Sequence, residues 1–170
     1  MNAQKAMLYS CPGFVAIGVA AMLAAAPVQA QAARPHQNRS QDQGNGSSVV
    51  VSLSLSRYTA VRTIDSGSTV GVKPDIVHVH VGDSVVFVND DTDHHTATAL
   101  LNAASFLDDP RWTDEALRPS GEIGPGFWST GDLSPGQRSA PLVARKPGTY
   151  LFGCFFDYGA GMRGEIVVEP

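Results

Sequence analysis

Two sulfur-bearing residues near the end of the chain stand at a spacing that suits a soft metal ion. Cys154 closes an apolar and aromatic run, and Met162 follows eight positions later in a glycine-rich stretch. The pattern of residues 150–168 predicts a strand, a loop and a second strand. Thiolate and thioether sulfurs are the donors that favour copper and tune its redox behaviour. This stretch therefore indicates a copper site.

An imidazole that could complete such a site is His95. Residues 89–93 are polar and acidic and predict a loop, and His94 and His95 stand where the chain enters a strand of alternating alanine and threonine. Neighbouring strand residues point to opposite sides, and the alternation places His95 on the alanine side. We expect His95 to face inward, whereas His94 could reach the same ion only if the pair lay in a loop.

A carboxylate, Asp157, occupies the third position after Cys154. Carboxylate oxygen is a harder donor than sulfur, so His95, Cys154 and Asp157 could hold Cu(II) or Zn(II). A charged oxygen donor favours the cupric over the cuprous state. We therefore expect a lowered reduction potential.

A second histidine pair stands on another predicted strand, residues 76–81. His78 and His80 share one face of that strand, because Val77 and Val79 share the other. Two imidazoles two positions apart could chelate a metal ion. Such pairs more often only face solvent, and no third ligand stands out nearby in the sequence.

The pattern of the rest of the chain predicts an all-β domain. Short apolar or alternating runs, at residues 49–58, 76–81 and 84–89, are separated by turns rich in glycine and proline. We expect an antiparallel sandwich or small barrel. Residues 102–126 form an irregular insertion, with one helical turn at residues 113–117 and aromatic side chains that could cover part of the core: Phe106, Trp112 and, just beyond it, Phe127.

The N-terminal part of the chain predicts export. In residues 1–30 a lysine precedes an apolar run, and small residues follow at the positions that a signal peptidase reads. A membrane anchor is the alternative, but the run is short and interrupted by proline, so we expect no stable membrane span after cleavage. Residues 31–48 are polar and predict a flexible leader before a single domain at residues 49–170. The expected location is the periplasm or the outside of the cell.

The charge of the chain argues against nucleic-acid binding, and its residue pattern argues against catalysis. The formal net charge is −4 and there is no basic cluster to neutralise phosphates, so nucleic acid is not an expected partner. No Ser/His/Asp or Cys/His set stands out, and a cysteine bound to copper is not a free nucleophile, so we do not expect an enzyme.

Taken together, these residues resemble the cupredoxins, the small blue-copper proteins, and most closely the plastocyanin-like group. Residues 79–89 with His95, residues 147–154 and residues 159–164 are the parts that show the resemblance. It covers the chain from about residue 70 to the end, apart from the insertion. The resemblance implies an antiparallel Greek-key β-sandwich with one copper ion in a type 1-like or modified site.

The resemblance also implies a ligand set: the imidazole of His95, the thiolate of Cys154 and the axial thioether of Met162. The family's second histidine falls on Asp157, which is a departure at a ligand position. In the family that imidazole reaches the surface and is thought to pass electrons to the partner. A carboxylate offers no comparable path, so a fast generic shuttle is less expected than the fold implies.

Three functions remain open at this point. The first is one-electron transfer with an unidentified redox partner protein. The second is copper handling or tolerance, in which the protein exchanges copper with a donor or acceptor. The third is a metal-free interaction domain of cupredoxin fold, with Cys154 as a core residue.

Overall fold

A computed structural model describes residues 46–108 and 110–170. The predicted signal peptide and most of the predicted leader lie outside the described residues. Within the described part, no helix is both long and apolar enough to cross a membrane.

The described residues fold almost entirely into short strands. In chain order these are β1 (Ser48–Leu53), β2 (Arg62–Ile64), β3 (Gly67–Thr69), β4 (Val72–Lys73), β5 (Ile76–His80), β6 (Ser84–Asn89), β7 (Thr98–Ala99), β8 (Pro119–Ser120), β9 (Ser129–Thr130), β10 (Leu142–Val143), β11 (Gly148–Gly153) and β12 (Arg163–Glu169). One 3₁₀ turn, Asp114–Leu117, lies between β7 and β8.

Two sheets enclose the core, so the predicted all-β class is confirmed. The first has the strand order β10-β6-β1-β4 and the second the order β5-β12-β11-β7-β9-β8, while β2 and β3 form a separate hairpin. The sheets are mixed rather than wholly antiparallel, because β1 pairs with β6 and β5 with β12 in parallel. The Gly82-Asp83 turn has a different role from a hairpin turn, since it leads from β5 in the second sheet to β6 in the first.

The core contains the apolar faces of both sheets. Val77 and Val79 of β5 are buried, as are Val85 and Phe87 of β6. Trp128 is also fully buried and stacks on Phe87 at 6.3 Å between ring centroids. In β5 burial alternates as the sequence predicts for a half-buried strand, whereas β6 is buried on both faces from Val85 to Asn89.

The first strand is shorter than the run of alternation that predicts it. It ends at Leu53 because Ser54 begins a turn: the Ser54 hydroxyl accepts a hydrogen bond from the Arg57 N–H at 3.2 Å. The Ser54 carbonyl also accepts one from the Tyr58 N–H at 3.1 Å. Serine competes with strand pairing in this way when its side chain reaches the backbone ahead of it.

The insertion covers part of the outer face of the second sheet, near β7 and β11. Its predicted helical turn is confirmed, and the Thr113 side chain accepts a hydrogen bond from the Glu115 N–H. Phe106 and Trp112 pack in a small second cluster against Leu100 and Leu151 of the sheet. Phe127 is only half-buried and is outside that cluster. Because the insertion covers this part of the face, every residue from 95 to 100 is buried, including the threonines on the side opposite the alanines.

Candidate metal centre

Three side chains from two distant segments meet at one end of the sandwich. The His95 Nδ1 atom lies 3.1 Å from the Asp157 Oδ2 atom and 3.8 Å from the Cys154 Sγ atom. The Cys154 thiol donates to Asp157 Oδ2 at 3.3 Å. Among the described residues, these three form the one group of His, Cys, Asp or Glu whose donor atoms all lie within 4.8 Å of one another.

The size of this triangle fits a transition-metal ion. The three donor atoms lie 3.1 to 3.8 Å apart, close enough for one ion to contact all of them at ligand distances of roughly 2.0 to 2.3 Å. The donor set of thiolate, imidazole and carboxylate suits Cu(II) and Zn(II). The residues present therefore fit the ion that the sequence resemblance implies, although an imidazole of the family is replaced by a carboxylate.

Cys154 is buried at the end of β11, and its thiol is protonated in the absence of metal. Burial raises the pKa of Cys154 to about 11, and hydrogen bonds from nearby backbone N–H groups oppose this only in part. One of those donors is the Thr96 N–H, 3.4 Å from the sulfur. A metal ion must therefore displace a proton from Cys154 in order to bind.

Thr96 joins the two segments that hold the donors. Its N–H points at the Cys154 sulfur, and its hydroxyl accepts a hydrogen bond from the Phe155 N–H at 2.9 Å. Thr96, which follows His95, is thus hydrogen-bonded both to Cys154 and to Phe155, the residue after Cys154. This fixes the distance between imidazole and thiol without a metal ion.

Asp91 contacts the other nitrogen of His95, and sequence reasoning missed it. The Asp91 Oδ2 atom lies 3.2 Å from His95 Nε2, and the Asp91 side chain is nearly as buried as the imidazole. Desolvation would raise the pKa of Asp91, but hydrogen bonds from the Ser56 hydroxyl, from backbone N–H groups and from His95 hold it well below its ordinary value. Asp91 is therefore a buried anion.

The contact with Asp91 orients the imidazole of His95. Carboxylates lie beside both ring nitrogens, Asp157 at Nδ1 and Asp91 at Nε2. If an ion takes the place of a proton at Nδ1, the remaining N–H is on Nε2 and can donate to Asp91. Histidines that bind metals usually donate their second N–H to such a partner, which fixes both tautomer and ring orientation.

Buried Asn89, at the end of β6, shapes the loop that holds Asp91. Its side-chain nitrogen Nδ2 donates to the backbone carbonyls of Asp93 and Leu133, both at 2.7 Å. Its side-chain oxygen Oδ1 accepts from the Asp91 N–H at 2.9 Å. His95 and Leu133 also exchange two backbone hydrogen bonds. The sequence shows an acidic run here, but nothing in that run indicates which aspartate turns inward.

Met162 lies where the ligand loop closes. Its carbonyl accepts the Cys154 N–H at 2.9 Å, and its own N–H donates to the Asp157 carbonyl at 3.2 Å. The Met162 side chain is fully buried in the same core cluster as Cys154. The backbone thus brings all four residues singled out from the sequence, His95, Cys154, Asp157 and Met162, to one end of the sandwich.

The other three histidines of the described part lie on the surface. His94 is exposed and its Nδ1 atom lies 2.8 Å from Asp132 Oδ1, so the two neighbouring histidines face opposite ways. His78 and His80 are exposed on β5. None of these three belongs to the group of His95, Cys154 and Asp157.

Comparison with known proteins finds similarity in solved structures alone. No family model matches the chain, and no curated protein matches it. A purple cupredoxin from Nitrosopumilus maritimus is 16% identical, with a TM-score of 0.46, over 71% of this chain and 99% of its own. Reduced auracyanin from the photosynthetic bacterium Roseiflexus castenholzii is 19% identical, with a TM-score of 0.48, over 75% of this chain and 100% of its own.

An oxidized mutant of amicyanin is also similar, at 20% identity and a TM-score of 0.43, over 72% of this chain and 82% of its own. All three are cupredoxins, the family that the sequence resembles. Identities of this size, with TM-scores below 0.5, support no conclusion about ligands or activity. The case for a metal centre therefore rests on the side chains of this protein.

Proposed function

We propose that this protein is exported, binds one copper ion through His95, Cys154 and Asp157, with Met162 as an axial ligand, and transfers one electron to or from a redox partner protein. The observation behind the proposal is the triangle of donor atoms, with sides of 3.1, 3.3 and 3.8 Å. Copper bound there would supply a one-electron couple between the cupric and cuprous states.

The chain supports electron transfer by holding the donors still. A hydrogen bond from the Thr96 N–H holds the thiol, and the contact between the imidazole and the Asp91 carboxylate holds the ring, before any metal binds. Donors that cannot move impose nearly the same geometry on both oxidation states, so little reorganisation accompanies the gain or loss of an electron. A buried thiol with a pKa raised to about 11 is also a poor nucleophile, which argues against covalent catalysis by Cys154.

A second candidate function is copper handling, with a copper donor or acceptor protein as the partner. Asp157 favours it, because a carboxylate stabilises the cupric state and its side chain is 27% exposed, whereas that of His95 is 1% exposed. A ligand accessible to solvent suits transfer of the ion. In this case affinity for copper matters more than reduction potential.

The experiment that tests copper binding is a titration of the purified mature protein with Cu(II), followed by visible absorption. We expect an intense thiolate-to-copper band that saturates at one ion per chain. The band should disappear in Cys154→Ser and weaken strongly in His95→Gln. The matched control is His94→Gln, which removes the neighbouring exposed imidazole and should leave the band unchanged. Absence of the band in the unaltered protein would contradict the proposal and favour a metal-free domain or a zinc site.

Electrochemistry of the copper-loaded protein then separates the two candidates. A reversible couple with fast electron exchange supports the redox role. Tight binding with slow or irreversible redox supports copper handling. Export is tested independently by N-terminal sequencing of the mature protein, which should begin near residue 31.

A further inference from the structure

A second set of metal-binding side chains lies on the outer face of the second sheet. His78 and His80 project outward from β5, because Val77 and Val79 between them are buried. Strand β12 lies beside β5 in parallel, with Glu169 directly opposite His80 and Val167 opposite His78. Strand pairing thus brings a carboxylate, Glu169, to the histidine pair, which the sequence alone did not indicate.

The Glu169 carboxylate lies between the two imidazoles. Its Oε1 atom is 3.4 Å from His78 Nδ1, and its Oε2 atom is 3.7 Å from His80 Nε2. A fourth group, the Asp83 carboxylate, lies 3.8 Å from His80 Nδ1. Hydrogen bonds from the backbone N–H groups of His80 and Ser47 lower the pKa of Asp83, so it remains ionised at neutral pH. The cluster thus combines two imidazoles with two carboxylates.

From this placement we propose that His78, His80 and Glu169 form a second binding site for a divalent transition-metal ion, such as Zn(II) or Cu(II). Imidazole and carboxylate are donors that both ions accept. Residues two apart on a strand are about 6.6 Å apart along it, a span that two imidazoles close when both lean toward one ion. Glu169, on the neighbouring strand, supplies the oxygen donor.

The site differs from the buried centre because its side chains are exposed and can change conformation when an ion binds. Its donor atoms do not yet all lie within 4.8 Å of one another, as those of the buried group do. The three side chains are more than half exposed and free to rotate, so an ion can gather them. Ordering three mobile side chains opposes binding, and the affinity should be lower than at the buried centre.

The test is a titration of the full chain, without an affinity tag, with Zn(II), followed by the imidazole nitrogen resonances of each assigned histidine. We expect the resonances of His78 and His80 to shift together and to saturate with one dissociation constant. Mutation of a residue that only hydrogen-bonds to a metal ligand typically lowers metal affinity by about 10- to 100-fold. Glu169 is proposed as a ligand itself, so Glu169→Gln should weaken binding by about tenfold or more. The double variant His78→Gln, His80→Gln should lose this binding event. The matched control, His94→Gln, removes another exposed histidine that faces a carboxylate and should leave the constant unchanged.

The result that would overturn the site is an absence of saturable shifts at His78 and His80. An unchanged dissociation constant in Glu169→Gln would also overturn it as proposed. Neither outcome bears on the buried centre, because binding there is read at His95 and in the thiolate-to-copper band of Cys154. The two proposals therefore fail separately.

Discussion

Two groups of similar residue types lie in opposite settings. One is buried and consists of His95, Cys154 and Asp157. The other is exposed and consists of His78, His80 and Glu169. In the buried group two of the three donors have a second partner that holds them: Asp91 for the imidazole and the Thr96 N–H for the sulfur. In the exposed group the carboxylate and the imidazoles mainly contact one another.

The difference teaches that donor type alone does not make a rigid metal site. Burial removes competing water and lowers the local dielectric, so the hydrogen bonds around the buried donors are stronger and their positions fixed. On the surface, side-chain entropy and screening reduce ion pairs to about 0 to 1 kcal/mol. Changes to the buried group should therefore have large effects, and changes to the exposed group small ones.

The largest expected effect is on the pH dependence of stability in the metal-free protein. The thiol of Cys154 has a pKa raised to about 11 in the folded state from an ordinary value of 9.0. Above pH 9 the unfolded chain loses this proton while the folded chain keeps it, so the free energy of unfolding falls as the pH rises through 11. Two pKa units correspond to a loss of roughly 2 to 3 kcal/mol.

Denaturant unfolding between pH 8 and pH 11 measures this loss, with Cys154→Ala as the reference. The difference in unfolding free energy between the two proteins should be constant below about pH 9 and then change in favour of the variant. Parallel curves over the whole range would show that Cys154 is not buried as a thiol.

Next in size is the effect of Asp91→Asn on copper affinity. The amide keeps the shape of the side chain but removes the buried anion that would accept the Nε2 proton of His95 when Nδ1 binds an ion. We expect affinity for copper to fall by about 10- to 100-fold, measured by competition with a chelator. Asp132→Asn is the control, because Asp132 contacts the exposed His94 and should leave affinity unchanged. An equal loss of copper affinity in the two variants would mean that the effect comes from removing a negative charge anywhere near the site, not from the contact between Asp91 and His95.

Asp157→His should have a smaller effect, on the reduction potential. The substitution replaces a charged oxygen donor by a neutral imidazole, which favours the cuprous state. We expect the potential to rise by about 60 mV or more, since 59 mV is tenfold in a one-electron equilibrium, and the blue absorption to strengthen. Voltammetry and visible spectra check both effects. No change in either would mean that Asp157 does not touch the metal.

The smallest effect is expected for His78→Gln in the metal-free protein. An exposed histidine that contacts only an exposed carboxylate should change the free energy of unfolding by no more than about 0.5 kcal/mol. His95→Gln is the contrasting variant, since it leaves the buried Asp91 without its imidazole and should cost about 1 to 3 kcal/mol. Similar losses in the two would remove the distinction between the groups.

Much of the fold was predictable, because alternation and turn residues are local signals. The strand at residues 84–89, the turn before it and the helical turn capped by Thr113 follow from such signals. The parallel pairing of β1 with β6 and of β5 with β12 was not predictable in this way. It depends on the sheet that each strand joins after a turn, which local sequence does not encode.

For the site, donor chemistry was readable from the sequence but the supporting contacts were not. Cys154, Met162 and Asp157 lie close together along the chain, and His95 follows from strand alternation. Asp91 was hidden among similar aspartates, because its inward turn depends on Asn89 and Ser56. Glu169 was hidden for another reason: it approaches His78 and His80 only through strand pairing.

The uneven exposure of the buried group has a kinetic consequence. An ion that arrives from solvent meets the carboxylate of Asp157 first, since the imidazole of His95 and the sulfur of Cys154 lie deeper. Capture should thus be accelerated by attraction to that negative charge and slowed by added salt. Release should depend instead on how readily the sulfur regains a proton, so metal uptake and metal loss would respond to different properties of the solution.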